Sequence, residues 1–284
     1  MDILFLGTAA AEGIPALFCR CQTCRNAAEA GGPEIRTRCA YLVNGHLLLD
    51  LPPDILFHKL RYNLDLAAVD TVCVTHSHTD HLNRADLCFR CVPVYAHIPG
   101  EKPLDLYANK KCCDTIRGGL EFEFGSPEHP SLAVHEIGVK SVLQRGELKI
   151  TALHAKHDPR EDCLMFLVQE GEKSFFQAND TALPEDDMEA AMHHVLHDAL
   201  QGRTLDAVSM DCTHGKEPGS RGHMGITENR IFKQRLVSAG LADENTQFFA
   251  NHFSHNGHVS HAELCESLAP HGIRPAYDGM VLGL

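Results

Sequence analysis

One short stretch, Val74-Thr75-His76-Ser77-His78-Thr79-Asp80-His81, constrains this chain more than any other. It places three imidazoles and one carboxylate within six residues, directly after the apolar run Val69–Val74, which reads as a buried strand. At a strand end, His76 and His78 are spaced to converge on one ion, while Asp80 and His81 fall on the next turn and reach a second. Imidazole nitrogen mixed with carboxylate oxygen suits zinc, manganese or iron. Polar loops collect stray histidines, but four candidate ligands at the mouth of a core strand form a stronger pattern. The fold therefore has to gather the remaining ligands from strand ends elsewhere, where a rigid sheet can aim them.

The chain around this motif alternates strands and helices. Ile3–Leu6, Ala40–Val43 and Leu47–Leu49 read as strands, the last two joined at Asn44-Gly45. Asp54–Leu60 reads as a helix, Leu104–Tyr107 as a strand, and Cys112–Gly119 as irregular or helical. Two hairpins are expected next, Ala133–Lys140 with Leu148–Ala152, then Leu164–Gln169 with Lys173–Phe176. Asp186–Leu200 has helical spacing, Ala207–Met210 and Phe248–Ala250 read as strands, and helices are expected at Thr227–Ala239, with Thr227 as N-cap, and at His261–Ala269, capped by Ser260. Val92–Pro103, rich in Pro and Gly, reads as the most mobile insert.

This order fits an α+β chain with two mixed sheets and helices outside. The candidate ligands run from position 76 to position 252, so a division of residues 1–284 into separate domains would cut the site; a single domain is expected. The 284 residues suffice for a substantial core, which aliphatic side chains must fill because Trp is absent. No run of eighteen apolar residues and no basic-then-apolar leader is visible, so a cytoplasmic, non-membrane chain is expected. The formal charge of −13 disfavours a large nucleic acid as partner. Several of the twelve cysteines, Cys73, Cys88 and Cys163, sit in apolar runs and read as small buried hydrophobes, not as a disulfide framework.

A dinuclear site needs about seven protein ligands or bridges, so about three more must follow the first cluster. His154 or His157 ends the Leu148–Leu153 strand, Asp180 follows the aromatic strand Phe175-Phe176, and His252 follows Phe248–Ala250. An isolated Asp after a strand is more often a turn residue, and a lone late histidine carries little by itself. The H-x-H-x-D-H pattern, however, resembles the signature of the metallo-β-lactamase superfamily, whose four-layer αββα sandwich and metal-dependent hydrolysis this resemblance implies. Its ligand order implies that His76, His78 and His157 hold one divalent ion and Asp80, His81 and His252 the other, with Asp180 bridging. His157 is preferred to His154 because it lies closer to the next strand and precedes Asp158-Pro159, a turn signal. Two such ions, Zn or Mn, about 3.5–4 Å apart, activate a shared water as hydroxide.

Phe18-Cys19-Arg20-Cys21-Gln22-Thr23-Cys24 is a second cluster, C-x-C-x-x-C, with three thiols in six residues. Zinc is the first reading; a redox Cys21/Cys24 pair and inert thiols are the alternatives. With Gly7-Thr8 and Gly13-Ile14-Pro15 ahead of it, this segment resembles the phosphoribosyl cyclic phosphodiesterases of the carbon–phosphorus lyase pathway, in the ribonuclease Z-like branch. The resemblance extends through Asp180-Thr181-Ala182 and Asp211-Cys212-Thr213-His214, and reaches about position 261 in short motifs. It implies a structural zinc on Cys19, Cys21, Cys24 and His255, three residues beyond His252. It also implies catalytic roles for Asp80 and for His223, in Arg221-Gly222-His223-Met224, with His214 the rival proton donor. The segments 101–131 and 186–204 are longer than the resemblance implies and are expected to line the substrate pocket.

The expected activity is hydrolysis of a small cyclic or diester phosphate. The alternatives are ribonuclease Z-like tRNA processing, acyl hydrolysis of lactamase or thioesterase type, and a non-catalytic metal-binding role. The partner is a small-molecule phosphodiester, and a homodimer is implied by the resemblance alone.

Overall fold

The computed structural model describes residues 1–98, 102–220 and 222–284. The expectation of a mobile Val92–Pro103 insert falls partly on Pro99, Gly100 and Glu101, which lie outside the described residues, as does Arg221 of the His223 segment.

Six strands come first: β1 (Asp2–Gly7), β2 (Ala40–Val43), β3 (Leu47–Leu49), β4 (Thr71–Val74), β5 (Leu104–Ala108) and β6 (Leu132–Glu136). Six follow: β7 (Val142–Arg145), β8 (Leu148–His154), β9 (Leu164–Glu170), β10 (Lys173–Ala178), β11 (Ala207–Asp211) and β12 (Gln247–Asn251). Two short strands close the chain, β13 (Ile273–Pro275) and β14 (Val281–Gly283), one joining each sheet. The first sheet runs β14-β1-β2-β3-β4-β5-β6 and the second β13-β12-β11-β10-β9-β8-β7. Both are mixed: β14 to β3 pair antiparallel and β3 to β6 parallel in the first, while β7 to β10 pair antiparallel and β10 to β13 parallel in the second. The helices are α1 (Gln22–Ala30), α2 (Ile55–Tyr62), α3 (Arg84–Arg90), α4 (Lys110–Phe124), α5 (Asp186–Leu200), α6 (Ile226–Ser238) and α7 (His261–Leu268).

The period-two alternation of a strand makes the layers. Ile3, Phe5, Tyr41, Val43, Leu47 and Leu49 of the first sheet meet Leu164, Phe166, Val168 and Phe175 of the second in one apolar layer. Their neighbours Leu6, Leu42, Leu48, Val72 and Val74 point the other way, onto Ile55, Leu87, Ile116 and Leu120 of the helices. Across the second sheet, Met165, Leu167, Phe176, Val208 and Met210 pack against Met192, Leu196, Phe232, Leu236 and Leu264. The result is the expected αββα sandwich, and its middle layer holds an aromatic knot. Tyr41 meets Phe5 edge-on at 5.0 Å between centroids and Phe175 at 5.4 Å, contacts worth about 0.5–1.5 kcal/mol each beyond their area.

Several local expectations need correction. Ala133–Lys140 does not pair with Leu148–Ala152. Its strand part, β6, runs parallel to β5 in the first sheet, and the hairpin partner of β8 is β7. A parallel β5–β6 pair requires a long crossover, and α4 supplies it, so Cys112–Gly119 belongs to a full helix. Gly118-Gly119 lowered the helical signal there; a Cβ on Gly119 would stand 2.8 Å from Cδ of Arg84, so the second glycine permits close approach of α3. The helix expected at Thr227 starts at Ile226, with Gly225 as N-cap and its N–H donating to Glu228 Oε2 at 2.9 Å. Helices α1 and α3 and strands β13 and β14 were not expected; none exceeds nine residues.

Candidate metal centre

The strand ends of both sheets deliver the site. β4 stops at Val74, and the next turn presents His76, His78, Asp80 and His81. From the second sheet come His157 after β8, Asp180 after β10, Asp211 at the end of β11, and His252 after β12. His76, His78 and His157 offer atoms within 4.8 Å of one another, as do Asp80, His81 and His252, and His76, His81 and Asp180. The structure thus brings the seven residues named from the sequence together, and Asp180 and His252 also group with Asp211 and His223.

Each imidazole is turned by a bond from its other nitrogen. His76 Nδ1 lies 2.9 Å from the Thr75 hydroxyl, which leaves Nε2 facing inward, 2.9 Å from Nδ1 of His78. His78 Nε2 is held by Asp158 at 3.1 Å, so this residue presents Nδ1. His157 Nδ1 faces the Gly222 carbonyl at 3.3 Å and its Nε2 lies 3.2 Å from His78 Nδ1. His81 Nδ1 is bound by Asp50 at 2.8 Å and His252 Nδ1 meets the Thr213 hydroxyl at 2.8 Å. Such outer partners are what fix ligand orientation in metal sites. Asp50 also accepts from the Thr75 N–H at 2.8 Å, tying the end of β3 to the histidine turn.

Three atoms at the centre are buried without a properly aligned hydrogen bond: His81 Nε2, Asp180 Oδ2 and His252 Nε2. They are nevertheless 2.9 Å apart in both His–Asp180 pairs. The four carboxylates Asp50, Asp80, Asp180 and Asp211 are buried, and every ion-pair partner they have among the described residues is a histidine. Buried anionic charge of this density needs cations. The donor set, its lone pairs converging and its other faces already bonded, fits two divalent ions.

The buried carboxylates and imidazoles shift one another. Burial lowers the pKa of His81, but Asp80, Asp180 and Asp50 outweigh it and hold it well above the ordinary value. Burial likewise opposes ionisation of Asp180, yet His252 and His81 keep its carboxyl well below the usual range. His76, buried beside other imidazoles, is pushed well below 6.5. His223 is desolvated, which lowers it, but Asp211 at 3.0 Å from Nδ1 reverses this and raises it to about 9.

His223 stacks on His252 with 5.7 Å between centroids and meets His157 edge-on at 4.8 Å. With Nδ1 committed to Asp211, its Nε2 is the nitrogen left for chemistry. His214, the rival donor, points its Nε2 at the Ser220 carbonyl, 3.2 Å away, and is not among the gathered ligands. His154 is exposed at the end of β8. Gly222, at φ +91°, brings the loop so close that a Cβ would stand 2.8 Å from His157 Nδ1.

A cleft of ≈ 950 Å³ opens beside His157 and His223, lined also by Asp158, Glu161, Leu183 and Glu228. Among the described residues, none of 101–131 or 186–204 lines it, contrary to expectation. The first segment acts at one remove: Asn109, just before α4, and Lys111 bind Glu161 at 2.8 Å and 3.3 Å, and Glu161 in turn holds Ser77 of the histidine turn.

The cysteine cluster is assembled too. Cys19, Cys21, Cys24 and His255 offer atoms within 4.8 Å of one another, with His255 Nδ1 3.4 Å from Cys21 Sγ and 3.6 Å from Cys19 Sγ. Cys21 is the N-cap of α1 and accepts from the Cys24 N–H. Burial would raise its thiol, but that N–H and His255 bring it down to about 6.

The sequence reading assigned no role to Asp50, Thr75, Asp158, Asp211 or Thr213. The signal available was positional: Asp50 and Asp211 are single carboxylates at the ends of apolar strands, the same placement that singled out Asp180.

Residues 46–269 match the family model described as the beta-lactamase superfamily domain, and the chain belongs to that family, whose members are mostly metal-dependent hydrolases. Among solved structures, a diphosphatase from the PhnP family superposes with a TM-score of 0.74 at 20% identity, covering 100% of this chain and 97% of that one. Zinc-bound PqqB from Methylobacterium extorquens gives 0.70 at 19% identity, over 100% of both chains. The short form of human tRNase Z gives 0.65 at 15% identity, over 100% of this chain and 99% of that one. A curated relative, an octanoyltransferase from Porphyromonas gingivalis, is 26% identical over 168 residues, 55% of this chain; the match spans only 31% of that protein.

No helix among the described residues is long and apolar enough to cross a membrane.

Proposed function

We propose that this protein, acting as one unit from residue 1 to 284, is a metal-dependent phosphodiesterase for a small cyclic or diester phosphate. His76, His78 and His157 would hold one divalent ion and Asp80, His81 and His252 the other, with Asp180 between them. When bound, the two cations supply a water of lowered pKa and neutralise charge on the phosphate.

The observation that carries the phosphoester reading is the Asp211–His223 pair beside that cluster. Cleavage of a P–O bond to an alcohol leaves an alkoxide that needs a proton. His223, its Nδ1–H donated to Asp211, keeps an Nε2 proton directed at the cleft and can transfer it to the departing oxygen. Thr213 donates to Asp211 at 3.0 Å and keeps the carboxylate in place. Gly222 lets the loop carrying His223 close onto His157. Likeness to the PhnP-family diphosphatase supports the phosphoester reading, and the charge of −13 favours a small substrate over tRNA.

Acyl hydrolysis is the second reading, favoured by the partial match to an octanoyltransferase. A screen of the Zn- or Mn-loaded protein separates them: bis(p-nitrophenyl) phosphate, ribose cyclic phosphates, cyclic nucleotides, acyl thioesters, lactams and pre-tRNA. Turnover of cyclic phosphates well above the others is expected. Turnover of thioesters or lactams alone would overturn the reading.

The cysteine cluster with His255 is proposed as a structural zinc site. It would tie the N-terminal loop to the segment that carries His252, because Ala10 N–H already bonds the Phe253 carbonyl at 2.9 Å.

A further inference from the structure

We infer that Tyr41, on the opposite sheet and outside the ligand set, is a positioning residue that clamps the three strand ends carrying Asp180, Asp211 and His252. This rests on the dinuclear reading above.

Tyr41 is fully buried in β2, its ring set among Phe5 and Phe175. Its hydroxyl crosses the middle layer and meets three side chains, one on each of three neighbouring strands or just beyond it. It donates to Asn179 Oδ1, the residue after β10. It accepts from Asn251 Nδ2 at 2.7 Å, the last residue of β12. It lies 2.8 Å from the Ser209 hydroxyl in β11, which donates because the tyrosine proton is already given to Asn179. One donor and two lone pairs are thereby all used.

The positions of these partners are the point. Asn179 immediately precedes Asp180, Asn251 immediately precedes His252, and Ser209 is two residues before Asp211. Asp180 and His252 both adopt left-handed backbone, φ +50° and +59°, unfavourable for residues other than glycine. Such conformations persist only where the surroundings over-determine them. Asn179, Ser209 and Asn251 are wholly buried, so no water can replace the phenol if it is removed. Asn251 Nδ2 keeps only a long contact to Cys39 Sγ at 3.5 Å. A single hydroxyl thus fixes the approach of the bridging carboxylate, one terminal ligand and the carboxylate behind His223.

The test is Tyr41→Phe, which keeps the ring and removes the clamp. Mn²⁺ is the probe, since oxygen and nitrogen ligands suit it and a thiolate cluster does not. Mn²⁺ binding followed by electron paramagnetic resonance should weaken by about tenfold or more, the loss usual when an outer support of a metal ligand is cut. Leu120→Ala, in the outer helical layer away from the site, should lower the melting temperature while leaving Mn²⁺ affinity within about twofold. Unchanged Mn²⁺ affinity in Tyr41→Phe, with only a lower melting temperature, overturns the inference. If Tyr41→Phe does not fold, Ser209→Ala and Asn179→Ala each remove one arm, and unchanged affinity in both overturns it equally. The underlying reading fails separately: Asp180→Ala binding as many Mn²⁺ ions as the parent would remove the dinuclear centre itself.

Discussion

Asp211→Asn keeps the shape of the side chain beneath His223 and deletes its charge. In the parent, Asp211 stands 3.0 Å from His223 Nδ1 and is the chief reason that this imidazole rises from 6.5 to about 9 against its own burial. That rise corresponds to about 3 kcal/mol favouring the imidazolium. Without the charge, burial is left largely unopposed, and the pKa should fall to about 6.5 or lower. In the metal-free protein near pH 8 the protonated fraction then drops from about nine-tenths to about three-hundredths. In the metal-loaded protein, where cations on Asp80 and Asp180 lower the pKa of parent and variant alike, a step that needs the His223 proton should lose more at pH 8 than at pH 6. The assay has two parts. Ring-proton NMR of the metal-free proteins should show His223 titrating about 2 units or more lower in the variant. Turnover of a cyclic phosphate by the metal-loaded proteins should show the alkaline limb displaced to lower pH, with metal content checked because Asp211 also lies 3.5 Å from His252 Nδ1. The sign for stability follows: a raised histidine pKa stabilises the metal-free fold below about 6.5, and that contribution is lost as pH rises through about 9. The same His223 titration in both proteins, or an equal loss of turnover near pH 6 and pH 8, would refute the reasoning.

Further expected outcomes concern the ligands, the loop and the thiols. His78→Ala and Asp180→Ala should each lose metal and nearly all turnover; full activity in either would exclude the dinuclear centre. His223→Ala should cut turnover by about 10²–10⁴-fold with metal intact, and the loss should shrink for p-nitrophenolate leaving groups; an equal loss for good and poor leaving groups would assign His223 to phosphate binding. Gly222→Ala, with its φ of +91° and a Cβ 2.8 Å from His157 Nδ1, should displace the loop and weaken activity, and an unchanged kcat/KM would show that the loop yields freely. Cys21→Ser should remove about one zinc per chain and lower the melting temperature. In the parent, acid that protonates the thiolates should release that zinc; unchanged zinc content in Cys21→Ser would point to a redox or inert cluster.

The linear order of residues determined the site's inventory. Four candidate ligands lay within six residues after an apolar run, and strand periodicity placed Asp180 and His252 at later strand ends. Alternation of apolar residues in the strands also set which side chains face the other sheet and which face the helices, so the four layers follow from local pattern. Tertiary structure alone decided which strands pair. Ala133 joined β5 through the α4 crossover and not the nearby β8, because parallel pairing is settled by partners distant in sequence. It also set His157, which the sequence already preferred, beside His78 and left His154 exposed. The partners of Asp50, Thr75, Asp158, Asp211 and Tyr41 became legible only in three dimensions: Asp50 and Asp211 showed a strand-end position, but a hydrogen bond to another side chain leaves no periodic trace in the sequence. The ligands could be read as a cluster because chemistry demands several of one type at one strand end; their supports come singly, from whichever element happens to pass behind them.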